Sequence, residues 1–148
     1  MKKFRFKLET LLKVTRMNRE QAQVELAAAT KKIEDARALL QQFLMEMAQG
    51  QKDYDTLTAG GRITVGVLMT YNSFFNWKRE QIESQQQHII SCQTERQQKV
   101  QELVRIMNKL KSIEQLKEKR LQQYMAELLQ EEQKQLDEIG GQLYFRKQ

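Results

Sequence analysis

The side chains with the greatest chemical potential are few. His88 is the one histidine of the 148-residue chain and Cys92 the one cysteine. Acid–base or nucleophilic catalysis needs a constellation of groups, and a structural zinc site needs about four ligands. One histidine and one cysteine make neither. His88 follows the hydrophilic run Gln85, Gln86, Gln87 and precedes Ile89, so it reads as a helix-flank residue. Cys92 falls on an apolar stripe, where burial makes a thiol unreactive. A lone thiol also makes no internal disulfide, so nothing suggests a secreted, oxidised scaffold. Glu131, Glu132, Asp137 and Glu138 have the oxygens that calcium takes. A helix would set them along a cylinder rather than around a loop, which suits calcium poorly. Gly60, Gly61 and Gly66 fit neither glycine-rich nucleotide pattern. The expectation is a protein without enzyme activity, catalytic residues, metal or cofactor, whose chemistry is that of binding.

Charge is the second kind of chemistry. The formal net charge is +6, unevenly spread. Residues 1–19 carry Lys2, Lys3, Arg5, Lys7, Lys13, Arg16 and Arg19 against Glu9 alone. Residues 96–120 are basic, with acids only at Glu102, Glu114 and Glu118. Residues 127–138 are acidic: Glu127, Glu131, Glu132, Asp137 and Glu138 against Lys134. Such clusters attract nucleic acid, acidic lipid or an oppositely charged protein surface, and the plainer reading of each is a solvated helix face. The start, MKKFRFKLETLLK, is basic but lacks the apolar stretch of a signal peptide. No apolar run is long enough to span a membrane. The expected location is cytoplasmic.

These groups must be positioned by helices. There is no proline and there are only six glycines, while the dominant residues are good helix formers. From Leu8 to Leu57 apolar or small residues recur at alternating steps of four and three, as in Leu26, Ala29, Ile33, Ala36, Leu40 and Phe43. That is the 3.5-residue repeat of a coiled-coil seam. A second run passes through Tyr71, Phe75, Ile82, Ile89, Cys92, Leu103, Ile106, Leu110 and Ile113. Arg96 and Lys99 interrupt it, which predicts a loose or frayed stretch. The phase then shifts to Leu121, Tyr124, Leu128 and again to Leu136, Ile139, Leu143.

Between the runs lies TAGGRITVGV, residues 58–67. Gly60 and Gly61 suit a left-handed helix end, and Thr64 suits the N-cap of the next helix. The predicted fold is all-α: one domain, residues 1–148, forming an antiparallel coiled-coil hairpin. Its helices are expected at about 5–58 and about 67–139, with the turn at about 59–66 and Gly140-Gly141 ending the second helix. At 1.5 Å per residue the helices measure roughly 80 and roughly 110 Å. A tight fold at Gly60-Gly61 puts Leu8 opposite residues 115–120. The second helix then overhangs from around Arg120 to Leu143, leaving Leu121, Tyr124, Leu128, Leu136 and Ile139 without an intramolecular partner. An unpaired apolar stripe marks an interaction surface.

The chain resembles the FliJ family of flagellar type III protein export. Three segments carry the resemblance: FRFKLETLLKVTRMNREQAQ at the start, YNSFFNWKREQI at 71–82, and IEQLKEKRLQQYMAELLQEEQKQLDEIGGQ at 113–142. Members resemble the central stalk of rotary ATPases. The resemblance implies that the chain binds the hexameric export ATPase and promotes its assembly. It also implies contact with the export-gate membrane protein at the inner face of the cell membrane, and escort of substrate chaperones. By position, Phe4, Arg5, Phe6, Leu8, Lys117, Lys119, Arg120, Leu121, Tyr124 and Leu128 would meet the ATPase. Phe43, Met47, Tyr54, Tyr71, Phe74 and Trp77 would face the gate. Gly50 and Lys78 depart from the family's larger apolar residues there. Phe43, Met47 and Tyr54 also share the stripe of Leu26 and Leu40, so they serve seam packing as readily. Phe74 and Trp77 cannot both share the seam with Phe75, and both are expected to face a partner.

Two other readings fit the composition. A basic nucleic-acid-binding coiled coil is opposed by the acidic stretch 127–138 and by bases without interleaved aromatics. A generic scaffold or tether would dimerise through the overhang.

Overall fold

The computed structural model describes residues 3–147, which form two helices. Lys2, counted above among the basic residues, lies outside them. Helix α1 spans Glu9–Ala59 and helix α2 spans Val65–Lys147. No strand occurs among the described residues. The fold is the expected all-α antiparallel hairpin, with α2 the longer helix.

The ends of the helices follow from local chemistry. Residues 3–6 are not helical, and the Glu9 amide donates to the Phe6 carbonyl at 3.1 Å where α1 begins. Glu9 then stands in the first turn, where a carboxylate suits the positive end of the helix. At the other end the Gly60 amide donates to Thr56 O at 3.3 Å and the Gly61 amide to Thr58 O at 3.2 Å. Gly61 has φ +68°, the left-handed conformation that an L side chain resists. Thr64 caps α2: its hydroxyl accepts the Val67 amide at 3.3 Å. The far end of α2 differs from expectation. Gly140 and Gly141 do not stop the helix, which continues to Lys147. Glycine permits a helix end but does not impose one, and neither glycine adopts positive φ.

Contacts gather into two compact units. Unit 1 joins the chain up to Glu20 with the chain from Val104, and unit 2 is Gln21–Leu103. Within each, α1 and α2 pack antiparallel. Unit 1 closes on Phe6, Leu12, Leu110 and Ile113, with Phe4, Leu8 and Leu116 against them. Leu12 is fully buried, which stabilises the fold by roughly 1.5–3 kcal/mol relative to exposure. Thr15 is also buried, and its hydroxyl donates to the Leu11 carbonyl one turn back at 2.7 Å. No partner across the seam is therefore needed.

Unit 2 is thinner. Ala22, Ala29, Ile33 and Ala36 of α1 are buried, as are Ile89 and Cys92 of α2. The stretch expected to fray does not. Arg96 and Lys99 lie in unbroken helix and are half-buried. Arg96 Nε donates to Thr30 Oγ1 at 3.0 Å, and Lys99 pairs with Glu25 at 3.2 Å. Two partnered side chains from the facing helix replace the missing apolar contacts.

Candidate interaction surfaces

In unit 1 the residues before α1 form a short strap along α2. Phe6 anchors it, only 8% exposed within the core cluster. Phe4 reaches further, its ring 5.6 Å from that of Tyr124 and tilted 49° to it. Leu8 packs on the cluster containing Leu110 and Ile113, and Glu9 pairs with Lys117 at 2.9 Å. The hydrogen bond from Lys117 is the main reason that the Glu9 carboxyl titrates below its ordinary value. The Glu9–Lys117 pair puts the residue after Leu8 against the 115–120 stretch that a fold about Gly60 and Gly61 predicts.

The overhang is shorter than expected, because the strap partners its first part. Leu121, Tyr124 and Leu128 are half-buried, not bare. Lys3, Phe4 and Arg5 face Tyr124, Glu127, Leu128 and Glu131 across an open groove of about 550 Å³. Of the residues expected to meet the ATPase, only Arg5, Lys119 and Arg120 are exposed. Phe6 belongs to the core, and Phe4, Leu8, Lys117, Leu121, Tyr124 and Leu128 are half-buried. The apolar face that does stand in solvent comes later: Leu129, Leu136, Ile139 and Leu143 are all more than half exposed. Leu129 was missed by following the Leu121–Leu128 phase. Its signal was the seven-residue step through Leu129, Leu136 and Leu143.

In unit 2 the second set gathers near the turn, mostly inside the seam. Tyr54 sits 5.5 Å from Tyr71 and 6.0 Å from Phe75, ring centre to ring centre. Phe43, Met47, Tyr54, Tyr71 and Phe74 are half-buried, while Trp77 is 53% exposed. Phe74 is a correction. It was expected to face a partner, but its ring occupies the space over Gly50. A Cβ on Gly50 would come within 2.4 Å of Phe74 Cε1. The glycine that looked like a gap in an apolar patch is the socket for an aromatic ring.

Lys78 is the second unexpected interior residue. It is 3% exposed. Its ammonium pairs with Glu46 and donates to Gln81 Oε1 at 3.1 Å. Three rings surround it, their centres 4.8 Å away for Trp77, 5.1 Å for Phe43 and 5.9 Å for Phe74. An ammonium leaves water at large cost unless a carboxylate and polarisable faces replace the lost hydration. Here both are supplied, and the Lys78 hydrogen bond holds the Glu46 carboxyl below its ordinary range. Trp77 therefore has two faces of use: one over Lys78, the rest in solvent.

The remaining reactive groups are placed as follows. Cys92 is buried, with its Sγ 3.6 Å from Nε2 of His88. No group of three or more His, Cys, Asp or Glu side chains is arranged to hold a metal among the described residues. No helix among them is long and apolar enough to cross a membrane.

These features define an all-α coiled-coil hairpin built on narrow seams, with its chemistry on exposed helix faces. Residues 4–148 match the family described as flagellar FliJ protein. The chain belongs to this family, and it is a flagellar protein-export component. Comparison with curated proteins and with solved structures gave no match.

Proposed function

We propose that the chain is a non-enzymatic coiled-coil component of the export apparatus that binds the hexameric export ATPase as a central stalk. In this reading it lies in the cytoplasm, peripheral to the inner face of the membrane, and couples the ATPase to the export gate and to substrate chaperones. Unit 1 would engage the ATPase and unit 2 the gate. The observation that carries the reading is the helix face of α2 beyond the strap, where Leu129, Leu136, Ile139 and Leu143 stand in water. Large apolar residues in contiguous exposed rows are unfavourable in solution and mark partner contacts. Exposed Lys119, Arg120 and Arg5 nearby add positive charge, which steers an acidic partner. In unit 2 only Trp77 of the proposed gate set presents a large exposed area, so it is the strongest single candidate there.

Stoichiometric addition of the chain to its export ATPase should raise hexamer formation and ATP turnover. If both stay unchanged, the stalk reading fails. Reversing Lys119 and Arg120 to glutamate should weaken this stimulation. Trp77→Ala should leave stimulation intact and reduce capture of the gate's cytoplasmic domain.

A further inference from the structure

The exposed face of α2 has a pattern that specifies more than stickiness. Leu129, Leu136 and Leu143 are spaced by seven, Met125 and Ile139 fill the alternate positions, and Glu132 and Arg146 complete the row. This is a seam of about three heptads with one acid and one base built into it. Met125, Leu129, Leu136, Ile139 and Leu143 are each half exposed or more. Among the described residues, no ion pair involves Glu127, Glu131, Glu132, Glu138, Arg146 or Lys147. The helix also runs through Gly140 and Gly141, with open space around the site of each missing Cβ. Two interior glycines cost an unpacked helix about 1 kcal/mol each relative to alanine, so this stretch is marginal until something packs against it.

We propose that this face pairs antiparallel with the same face of a second copy of the chain. Charge decides the occupant and the direction. In parallel pairing, the seam acid Glu132 would lie against the second copy's Glu132 and the seam base Arg146 against its Arg146. In antiparallel pairing with Leu136 against the second copy's Ile139, Leu129 meets Arg146 and Glu132 meets Leu143. Glu132 and the second copy's Arg146 are then offset by three residues, about 4.5 Å along the axis, within reach of an ion pair. The seam acid of each copy thus lies near the seam base of the other, twice, by symmetry, while Asp137 and Glu138, which meet at the axis, occupy positions off the seam. Self-pairing uses part of the surface assigned above to the ATPase, so the dimer is a capped form that must open before that engagement. The inference does not depend on the ATPase reading, because its test uses the chain alone.

Sedimentation equilibrium of the full chain should show a reversible monomer–dimer equilibrium. Leu136→Asp together with Ile139→Asp should abolish the dimer. Both sites are exposed in the single chain, so any loss of helix by circular dichroism should be confined to the marginal end of α2. Reversing Arg146 and Lys147 to glutamate should weaken the dimer about tenfold, and adding Glu131→Lys and Glu132→Lys should restore it. Direction is read by mixing Leu129→Cys chains with Arg146→Cys chains under oxidation, where the 129–146 cross-link should dominate. A chain that stays monomeric at the highest attainable concentration overturns the proposal. So does a dimer that survives Leu136→Asp with Ile139→Asp, or one that cross-links 129 to 129.

Discussion

In unit 1 the seam closes on Leu12, in contact with Phe6, Leu110 and Ile113. Near the turn in unit 2 it closes on the ammonium of Lys78, held by Glu46, Gln81 and three aromatic rings. The first closure is apolar and indifferent to its neighbours' charge. The second works only as a set, because each member compensates for a cost that another creates. Lys78 needs Glu46 and the ring faces, and Phe74 needs the space over Gly50. Burial alone therefore does not tell how a site will respond to change.

The largest expected effect lies on the apolar side. Leu12→Ala should destabilise the chain by about 2–5 kcal/mol, since a fully buried leucine leaves a cavity as well as lost transfer energy. Chemical denaturation measures this, and a loss below 1 kcal/mol would mean that the cluster collapses around the gap.

Gly50→Ala tests the other side with a change of sign. In an ordinary helix interior the substitution stabilises by about 1 kcal/mol. Over Phe74 the new methyl has no room, and overpacking of this kind costs about 1–3 kcal/mol. The net effect should be destabilising, and in a Phe74→Ala background it should revert to stabilising. Failure to revert would show that Phe74 is not what occupies the space.

Smaller still is the effect of Lys78→Met. It replaces a buried ammonium with an apolar side chain of similar length, and stability should change by less than about 1 kcal/mol. Glu46→Ala should cost more than Lys78→Met, because it leaves the buried charge without its carboxylate. The opposite order of melting temperatures would show that the rings, not Glu46, hold Lys78.

The mildest probe is acid. Glu9, Glu25 and Glu46 titrate below 4.5 in the folded chain, mainly through hydrogen bonds from Lys117, Lys99 and Lys78. Their contribution is complete above 4.5 and is lost as pH falls through the lowered folded values. Melting temperature should be flat from neutral pH to about 5 and fall below 4.5. Lys78→Met should remove part of that acid slope, whereas a decline that begins near neutrality would point to other groups.

Much of the fold was legible because seam periodicity is a property of the chain itself. Every position from Leu8 to Tyr54 on the predicted stripe is at least half-buried, its last member Leu57 is exposed, and Gly61 and Thr64 take their expected roles. The misreadings came where a residue's meaning depends on one that is distant in sequence. Gly50 and Lys78 looked like defects because Phe74 and Glu46 were not seen as their complements. Phe4 and Phe6 looked like exposed binding residues because nothing local shows that the strap turns back onto Leu110 and Tyr124. Arg96 and Lys99 looked like weak points because their partners, Thr30 and Glu25, belong to the other helix.

Those last pairs have a further consequence. Helices whose leucines and alanines repeat every seven residues can slide by one repeat and find nearly the same apolar contacts again. Arg96 with Thr30, Lys99 with Glu25, and Lys32 with Glu95 make such a slip costly, since a shift of one repeat would separate all three at once. They work like the teeth of a key, adding little holding force and admitting one alignment.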